Sequence, residues 1–345
     1  MSSHLFPYKW YLKDGYPEQN GLNVFGTFIC GGGSTMGYKL AGYNHLGGVE
    51  IDPPIADVYQ TNHKPKYLYC EDIRLFNQRN DLPDELYQLD ILDGSPPCST
   101  FSMAGSREKG WGKEKIFREG QTMQTLDDLV FVYCDTIIKL SPKVFILENV
   151  KGIIQGNAKL YAKKIVKKME SAGYVVQVFM LNAASMGVPQ KRERVFFIGY
   201  RKELNYLKLR LEFNERAVRF GEVVDITETK KDLTGVQFEL WSRQKKTDKT
   251  LADVRKTPNG FTDHLVNETD VCPTITGGGK FLCKNYPRWF NKTEYCQCGT
   301  YPLDYNFNGI EPKYLIGMSV PPVMTAQIAN QIAIQWFNKP GVKQR

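Results

Sequence analysis

The chain has 345 residues, of which 42% are hydrophobic and 24% are charged, and its formal net charge is +8 at pH 7. This composition predicts a folded globular protein with a large core, and it excludes a disordered or low-complexity chain. No apolar run approaches the ~20 residues that span a bilayer. The excess of basic residues permits a polyanionic partner such as a nucleic acid.

The same features bear on location and metal content. No apolar signal core occurs in the first 13 residues, and the eight cysteines lack the spacing of a disulfide framework. These features predict a cytoplasmic protein without a membrane partner. The four histidines show no metal-ligand spacing, and Cys272, Cys283, Cys296 and Cys298 fit no common zinc pattern, so no metal site is predicted.

The first 200 residues alternate between strand and helix patterns. The predicted elements in chain order are a strand over 22–29, a helix over 36–41, strands over 46–51, 67–69 and 89–92, a helix over 121–140, a strand over 144–147, a helix over 158–171, and strands over 174–181 and 195–200. Such alternation predicts an α/β fold with a doubly wound, mainly parallel sheet.

A glycine-rich turn, Cys30-Gly-Gly-Gly-Ser-Thr, follows the first predicted strand, and Glu50 lies at the end of the second. Glycines in such a turn allow a ligand to approach the backbone, and a carboxylate 17 residues past Gly33 can accept hydrogen bonds from ribose hydroxyls. The pattern is typical of a nucleotide-type cofactor site. By itself it does not distinguish a dinucleotide from S-adenosylmethionine, and half of such matches are tight strand–helix turns.

The segment Asp93-Gly-Ser-Pro-Pro-Cys98 places a cysteine in a loop at the carboxyl end of a predicted strand. Two prolines restrict the backbone before Cys98, which holds the thiol in a defined place. A cysteine positioned in this way is a candidate nucleophile if its thiolate is favoured. The alternative is a small buried residue before a turn.

Two further motifs follow predicted strand ends. Glu148-Asn149-Val150 lies at the same sheet edge as Cys98, where a carboxylate is a candidate general acid; the alternative is a helix cap or a solvated loop acid. In Gln190-Lys-Arg-Glu-Arg194, alternate residues project from one face of an extended segment. Arginines aligned in this way suit a polar ring or a phosphate, and the alternative is a solvated basic edge strand.

The alternation ends after residue 201. Residues 205–270 are polar and irregular, and a helix predicted over 323–337 packs back on the first region. The sequence therefore predicts three parts: a catalytic and cofactor domain over 1–201, a smaller, irregular target-recognition domain over 202–272, and a C-terminal segment over 273–345.

Taken together, these motifs resemble those of the DNA cytosine-5 methyltransferase family of bacterial and phage type. The resemblance runs from about residue 22 to 337, with the motifs in the family's order. They are Phe28 to Gly37 with Lys39 to Gly42, Pro97-Cys98 with Phe101-Ser102, Glu148-Asn149-Val150, Gln190 to Arg194, Pro273-Thr274-Ile275 with Arg288 and Glu294, and Gly317 to Pro321.

Three positions depart from the family pattern. Cys30 stands where the family usually has Gly, Met318 stands where it usually has Asn, and Ile51 stands where it often has a larger apolar side chain. All three belong to motifs that the resemblance assigns to the cofactor. The departures at Cys30 and Met318 are interpreted as tolerated variation that weakens cofactor affinity, and Ile51 is a softer departure.

The resemblance implies a Rossmann-like, S-adenosylmethionine-dependent enzyme that methylates C5 of a flipped-out cytosine in a specific double-stranded DNA sequence. Cys98 would form a covalent adduct with C6 of the base. Glu148 would bind the N3 and N4 edge and support protonation at N3. Arg194 would bind the O2 side, with Arg192 supporting it.

The resemblance also implies the cofactor contacts. Glu50 would hold the ribose and Asp72 the adenine amino group, with Ile51 and Ile73 flanking the ring. The full set of predicted cofactor residues is Phe28, Gly32, Gly33, Glu50, Ile51, Asp72, Ile73, Pro97, Ser319 and Val320.

DNA contacts are predicted in two stretches. Residues 103–120 are a basic element that would close over the flipped base, with a surface loop as the alternative. The predicted DNA-binding residues are Ser102, Arg107, Lys109, Lys113, Lys115, Arg118, Arg243, Lys245 and Lys246. A monomer is predicted, in a bacterial cytoplasm or encoded by a phage, and a cognate restriction endonuclease is compatible with the family.

Two rival interpretations remain open at this point. One is the tRNA-modifying branch of the same family, which has the same chemistry on RNA. The other is a non-catalytic DNA-binding module on a decayed methyltransferase scaffold, which the departures at Cys30 and Met318 favour, although Cys98, Glu148 and Arg194 are all present.

Overall fold

The computed structural model describes residues 4–97, 114–115, 124–125, 129–228, 232–256, 263–339 and 341, with the backbone alone at 114–115, 124–125 and 157. Within this part of the chain, no helix is long and apolar enough to cross a membrane. The same residues contain no group of three or more His, Cys, Asp or Glu side chains arranged to hold a metal ion.

The strands of the described residues include one large sheet and two short pairs. They are β1 (Asn23–Thr27), β2 (Asn44–Glu50), β3 (Tyr67–Cys70), β4 (Ile91–Gly94), β5 (Glu114–Lys115), β6 (Gln124–Thr125), β7 (Val144–Val150), β8 (Tyr174–Asn182), β9 (Glu193–Arg201), β10 (Asp263–Val266) and β11 (Lys280–Cys283). The large sheet has seven strands in the order β3-β2-β1-β4-β7-β9-β8, while β5 pairs with β6 and β10 with β11.

The α-helices of the described residues lie mostly between these strands. They are α1 (Gly33–Leu40), α2 (Pro53–His63), α3 (Ile73–Gln78), α4 (Leu129–Leu140), α5 (Lys159–Ser171), α6 (Gly235–Ser242), α7 (Leu251–Arg255), α8 (Lys292–Gly299), α9 (Pro312–Met318) and α10 (Pro322–Gln335).

The large sheet is mainly parallel, as the sequence predicts. Strands β3, β2, β1, β4 and β7 run parallel to one another, and β9 inserts antiparallel between β7 and β8. From β1 the chain adds strands first on one side and then on the other, so the order reverses between β1 and β4. In open α/β sheets, ligands bind outside the carboxyl ends of the strands at such a switch point.

Both faces of the sheet are buried, which explains the unbroken apolar runs of its strands. Neighbouring residues on one strand point to opposite faces, as Ile91 and Leu92 show. Ile91 belongs to the core cluster that includes residues of α1, α2 and α10, and Leu92 to the cluster that includes residues of α3, α4 and α5. The helices therefore cover the sheet from both sides and leave the carboxyl edge open.

The structure corrects two element boundaries. The helix predicted from residue 121 begins at Leu129, and Gln124–Thr125 instead pairs with Glu114–Lys115. The strand predicted over 144–147 continues to Val150, because β9 pairs with it along its whole length. The acidic motif that starts at Glu148 consequently lies inside the sheet and not in a loop.

The region after residue 201 packs in two ways. Leu209, Leu211 and Phe220 join the core cluster of the sheet. Further along, a small separate cluster consists of Leu233, Leu251, Leu265 and Leu282. The pairing of β10 with β11 crosses residue 272, which the sequence predicts as a domain boundary. The three-part division remains a prediction.

Candidate active site

A cavity of about 330 Å³ opens at the carboxyl edge of the sheet, beside the switch point between β1 and β4. It draws together segments that are far apart in the sequence, from residue 28 to residue 320. The predicted site residues that line it are Phe28, Gly33, Glu50, Ile51, Asp72, Ile73, Pro97, Glu148, Arg192, Arg194, Ser319 and Val320.

The glycines of the β1–α1 turn serve the packing of the protein around this cavity. At Gly32, which has φ +74°, a Cβ would lie 2.2 Å from His63 Nε2, and Gly32 itself is not among the cavity-lining residues. At Gly33, a Cβ would lie 2.3 Å from the carbonyl oxygen of Val320. These glycines therefore allow α2 and the segment before α10 to reach the turn.

Cys30 adopts φ +47°, a conformation that favours glycine. A glycine, the family's usual residue here, adopts this conformation without strain, so the departure at Cys30 has a cost in local strain. Burial raises the pKa of its thiol to about 12, so the side chain is a neutral thiol at physiological pH. Its backbone N–H donates to Glu50 Oε2 at 2.9 Å, which ties the turn to the end of β2.

Glu50 is held by backbone donors on both oxygens. Besides Cys30 N–H on Oε2, the N–H of Asp52 donates to Oε1 at 3.0 Å. Burial raises the pKa of this carboxyl, and the backbone hydrogen bonds oppose the rise. A carboxylate has about four lone-pair sites, so Glu50 retains acceptor capacity for a ligand hydroxyl.

The wall beyond Glu50 has an acidic and an apolar part. Asp72 caps α3 by accepting from Arg74 N–H at 2.8 Å, and it also pairs with the Arg74 guanidinium. Ile73 and Leu129 are buried beside Phe28. Leu129 lines the cavity, but the sequence marks it only as a residue within the helix predicted over 121–140.

The opposite wall comes from the C-terminal part of the chain. Tyr301 OH donates to Ser319 Oγ at 2.7 Å, and this buried hydrogen bond fixes the segment that faces Gly33. Met318, next to it, lines the cavity and is 41% exposed. Its side chain therefore borders the opening of the cavity.

Glu148 and Arg194 form an ion pair in the cavity wall. Arg194 Nε lies 2.9 Å from Glu148 Oε1, and both side chains are largely buried. Burial lowers the pKa of Arg194, and Glu148 opposes this shift. These facts contradict two of the alternatives given above, a solvated loop acid at 148 and a solvated edge strand at 190–194. The pair offers a carboxylate and a guanidinium side by side to a planar polar ligand.

Arg192 has a different environment from Arg194. It is 3% exposed and donates to the carbonyl oxygens of Ile275 and Gly317, at 2.9 and 3.0 Å. Burial lowers its pKa to about 9. Gln190 also binds this part of the chain. Its side chain accepts a hydrogen bond from Ile275 N–H and donates one to the carbonyl oxygen of Cys298. The two side chains brace the C-terminal wall, and Arg194 faces the cavity beside Glu148.

The predicted nucleophile, Cys98, lies outside the described residues, as do Ser102, Arg107, Lys109, Lys113 and Arg118. The side chain of Lys115 is also outside them. The described chain leads up to Cys98 through Pro96 and Pro97, which line the cavity. Asn149 Nδ2 approaches the Pro96 carbonyl oxygen at 3.4 Å, so the segment that carries the cysteine is joined to the strand that carries Glu148.

Asp93 is a cavity residue that the sequence analysis did not select. It is 6% exposed, at the end of β4, and it accepts a hydrogen bond from Tyr38 OH at 3.0 Å. Burial raises its pKa to about 7, and Glu148 adds to the rise. The only sequence signal was an acidic residue that interrupts an apolar strand.

We call residues 202–272, the predicted target-recognition domain, together with β11 the recognition region. Its predicted DNA-binding residues are on the surface. Arg243, Lys245 and Lys246 are exposed just after α6, where Arg243 pairs with Glu239. Trp241 Nε1 donates to the Cys283 carbonyl at 2.9 Å and anchors this helix to β11. The three cations are thus carried on an ordered support.

Comparison with known proteins gives a family and several relatives. The family of C-5 cytosine-specific DNA methylases matches residues 22–333. The Type II methyltransferase M.FnuDI of Fusobacterium nucleatum is 36% identical over 185 residues, 53% of this chain and 48% of that protein. The chain thus spans about half the length of that relative.

Other relatives match over nearly their whole length. M.AplI of Arthrospira platensis, a Type II methyltransferase, is 26% identical over 339 residues, 95% of this chain and 90% of that protein. Among solved structures, one described as a DNA modification methyltransferase encoded within an E. coli prophage has a TM-score of 0.64 at 21% identity, covering 92% of this chain and 100% of that one. The Dnmt2 methyltransferase of S. pombe has a TM-score of 0.60 at 15% identity, covering 91% and 99%. These two likenesses concern the fold.

Proposed function

Because the chain belongs to the C-5 cytosine-specific DNA methylase family, we propose that it transfers a methyl group from S-adenosylmethionine to C5 of a cytosine in a specific double-stranded DNA sequence. The observation that carries this proposal is the pair of Glu148 and Arg194, 2.9 Å apart in the cavity wall. Asn149 joins the strand of Glu148 to the segment that leads into Cys98.

The cavity fits the cofactor by the chemistry of its lining. Glu50 has acceptor capacity for ribose hydroxyls, Asp72 would accept from the adenine amino group, and Ile51 and Ile73 supply apolar surface that would flank the ring. When bound, S-adenosylmethionine supplies an activated methyl group. The departures at Cys30 and Met318 leave the cavity open, which supports a working cofactor site over a decayed one.

The chemistry needs a nucleophile because C5 of cytosine is weakly nucleophilic. The Cys98 thiolate would add to C6, the π pair of the C5–C6 bond would form a C4–C5 double bond, and the pair of the N3–C4 double bond would bind a proton at N3. C5 of this enamine would then bond to the methyl group, and the sulfur of the donor would keep the electron pair of the broken sulfur–methyl bond. Glu148 binds the N3 and N4 edge and supports a proton at N3, while Arg194 stabilises charge on O2. Loss of the C5 proton to solvent and cleavage of the bond between sulfur and C6 then restore the thiolate.

The position of these groups requires that the base leave the double helix. C6 of a stacked cytosine is out of reach of a thiol in a cavity, so the nucleotide must be flipped out. Residues 103–120, predicted to close over it, lie mostly outside the described residues. Exposed Arg243, Lys245 and Lys246 are suited to contact phosphates.

The first experiment combines the protein, S-adenosylmethionine and unmethylated genomic DNA, and reads methylated cytosines by bisulfite sequencing. We expect methylation at one short sequence with the wild type and none with Cys98→Ser. Cys70→Ser is the matched control, because Cys70 is an exposed free cysteine that does not line the cavity.

The outcomes separate the rival functions. Methylation of transfer RNA in place of DNA would support the RNA-modifying branch. Binding of duplex DNA without methylation of either acceptor, and without cofactor binding in calorimetry, would support the non-catalytic module. A monomeric state and a companion endonuclease remain predictions.

A further inference from the structure

Asp93 is a buried carboxylate without a cationic partner among the described residues. It lies on the cavity wall at the switch point, where Thr27 Oγ1 donates to its backbone carbonyl at 3.2 Å. Asp90, on the same chain segment, is equally buried at 6% exposure but pairs with Lys143 Nζ at 2.8 Å. A buried ionised carboxylate is costly unless a cation or several hydrogen bonds compensate it. Among the residues that the structure describes, a cation compensates Asp90, whereas Asp93 meets only hydroxyl donors.

The groups that face Asp93 do not supply positive charge. They are Tyr38 and Ser34 from α1, Tyr59 from α2, Tyr133 from α4 and Glu148 from β7. Burial raises the pKa of the three tyrosines, so they stay neutral, and Glu148 is acidic. The side chain therefore meets hydroxyl groups, another carboxylate and the open cavity. A positively charged ligand in this cavity would provide the missing compensation.

We propose that Asp93 binds the α-ammonium group of the methyl donor's amino-acid moiety. This inference rests on the proposed use of S-adenosylmethionine, which carries two cationic groups. The sulfonium has no hydrogen to donate, whereas the ammonium has three N–H donors. The carboxylate accepts hydrogen bonds from the hydroxyl groups of Tyr38 and Ser34, and a carboxylate has about four lone-pair sites. It keeps capacity for more, so the ammonium is the matching partner.

The test uses ligand binding and not turnover. S-adenosylhomocysteine keeps the ammonium and lacks the sulfonium, and its deaminated analogue lacks both. Calorimetry of the wild type and of Asp93→Asn with both ligands isolates the contact. We expect the Asp93→Asn variant to bind S-adenosylhomocysteine about tenfold or more weakly than the wild type does, which is the size of a missing charged hydrogen bond. Its affinity for the deaminated analogue should equal that of the wild type.

Asp90→Asn is the matched control, since it removes the same charge from an equally buried site that does not line the cavity. It should leave both affinities unchanged. Equal weakening of both ligands by Asp93→Asn, or no weakening of either, would overturn the inference. A wild-type protein that binds neither ligand would overturn the cofactor assignment itself, and the inference with it.

If Asp93→Asn does not fold, the wild type still provides a test. The pairing with the ammonium requires an ionised Asp93, so the preference for S-adenosylhomocysteine over the deaminated analogue should fall between about pH 8 and about pH 5.5. This preference is the ratio of the two affinities, so the titration of Glu148, Glu50 and other groups that affect both ligands equally does not change it. A preference that stays constant over this range would count against the proposal.

Discussion

The sheet edge and the recognition region place their charged groups in opposite surroundings. At the sheet edge, Glu148, Arg192 and Asp93 are buried, and two core clusters on the two faces of the sheet hold the strands beneath them. In the recognition region, the separate cluster has four buried leucines, and the cations after α6 are exposed. Chemistry on a base requires groups held in place away from water. Binding to DNA phosphates requires cations on the surface.

Exposed apolar side chains reinforce the difference. Val236 and Phe238, both on α6, are 62% and 47% exposed, whereas the cavity-lining Ile73 is 4% exposed. The recognition region thus presents apolar and basic groups together. The apolar groups are suited to contact base edges, and the basic groups are suited to contact the phosphate backbone.

The largest expected effect is on the chemistry at the sheet edge. Glu148→Gln removes a carboxylate that supports the proton at N3, so we expect the methyl-transfer rate to fall by about 10²–10⁴-fold. Calorimetry with S-adenosylhomocysteine should show unchanged affinity. The control is Glu193→Gln, whose exposed carboxylate pairs with Lys151 and should leave the rate unaltered. A Glu148→Gln variant with the methyl-transfer rate of the wild type would mean that the pair of Glu148 and Arg194 has a structural role only.

The second prediction concerns the free energy of unfolding and the buried ion pair of Arg288 and Glu294. Glu294 is fully buried and accepts from Arg288, from Asn291 N–H and from Asp225 N–H. Glu294→Gln leaves Arg288 buried without its counter-charge, which should lower the free energy of unfolding by about 3–5 kcal/mol. Denaturant titration measures this. Glu239→Gln breaks an exposed pair with Arg243 and should have no measurable effect.

The third prediction concerns the pH dependence of stability. The pKa of Asp93 is raised to about 7, so between its ordinary value and pH 7 the folded state binds more protons than the unfolded state. Stability is therefore lost as the pH rises through this window. We expect Asp93→Asn to be more stable than the wild type at pH 8, by up to about 4 kcal/mol, and equal to it near pH 4. Thermal unfolding without ligand at the two pH values measures it.

Asp90→Asn should show the opposite sign at pH 8, because it breaks the pair with Lys143. If both variants were less stable than the wild type at pH 8, the buried carboxylate of Asp93 would not lower the free energy of unfolding. The comparison of these two acids tests whether the sheet edge holds a charge that only a ligand compensates.

The smallest effect is expected in the recognition region. Replacing Arg243, Lys245 and Lys246 by Ala should weaken DNA binding and reduce the slope of log affinity against log salt by about 0.9 for each phosphate that the variant no longer neutralises. Cofactor affinity should not change. The control replaces Lys163, Lys164 and Lys167 on α5, a basic helix packed beside β8. An equal weakening in both variants would mean that net charge, and not position, governs binding.

Much of the sheet could be read from local patterns. Runs such as Val144 to Leu147 predict buried strands. The alternation at Gln190, Arg192 and Arg194 predicts that these side chains share one face, and in the structure they are less exposed than Lys191 and Glu193 between them, but the pattern alone left open whether that face is solvated. The mainly parallel sheet was confirmed. Local pattern sufficed here because burial on both faces imposes a continuous apolar sequence.

Other features depend on contacts between distant residues. The pKa of Asp93 is raised by burial and then by Glu148, which lies far from it in sequence. Gly33 is required because Val320 reaches it, which no local rule reveals. The same limit applies to the recognition region, where β10 pairs with β11 across an intervening loop.

The packing of α1 against α10 has a consequence for the synthesis of the protein. One wall of the cavity comes from residues 28–35 and the facing wall from residues 317–320, with Val320 against Gly33. A nascent chain can form β1 and β2 early, but the cavity cannot close until residues 317–320 have left the ribosome. Contacts of such long sequence separation form slowly. Until then the buried face of α1 is exposed, and the growing chain is at its most vulnerable to aggregation.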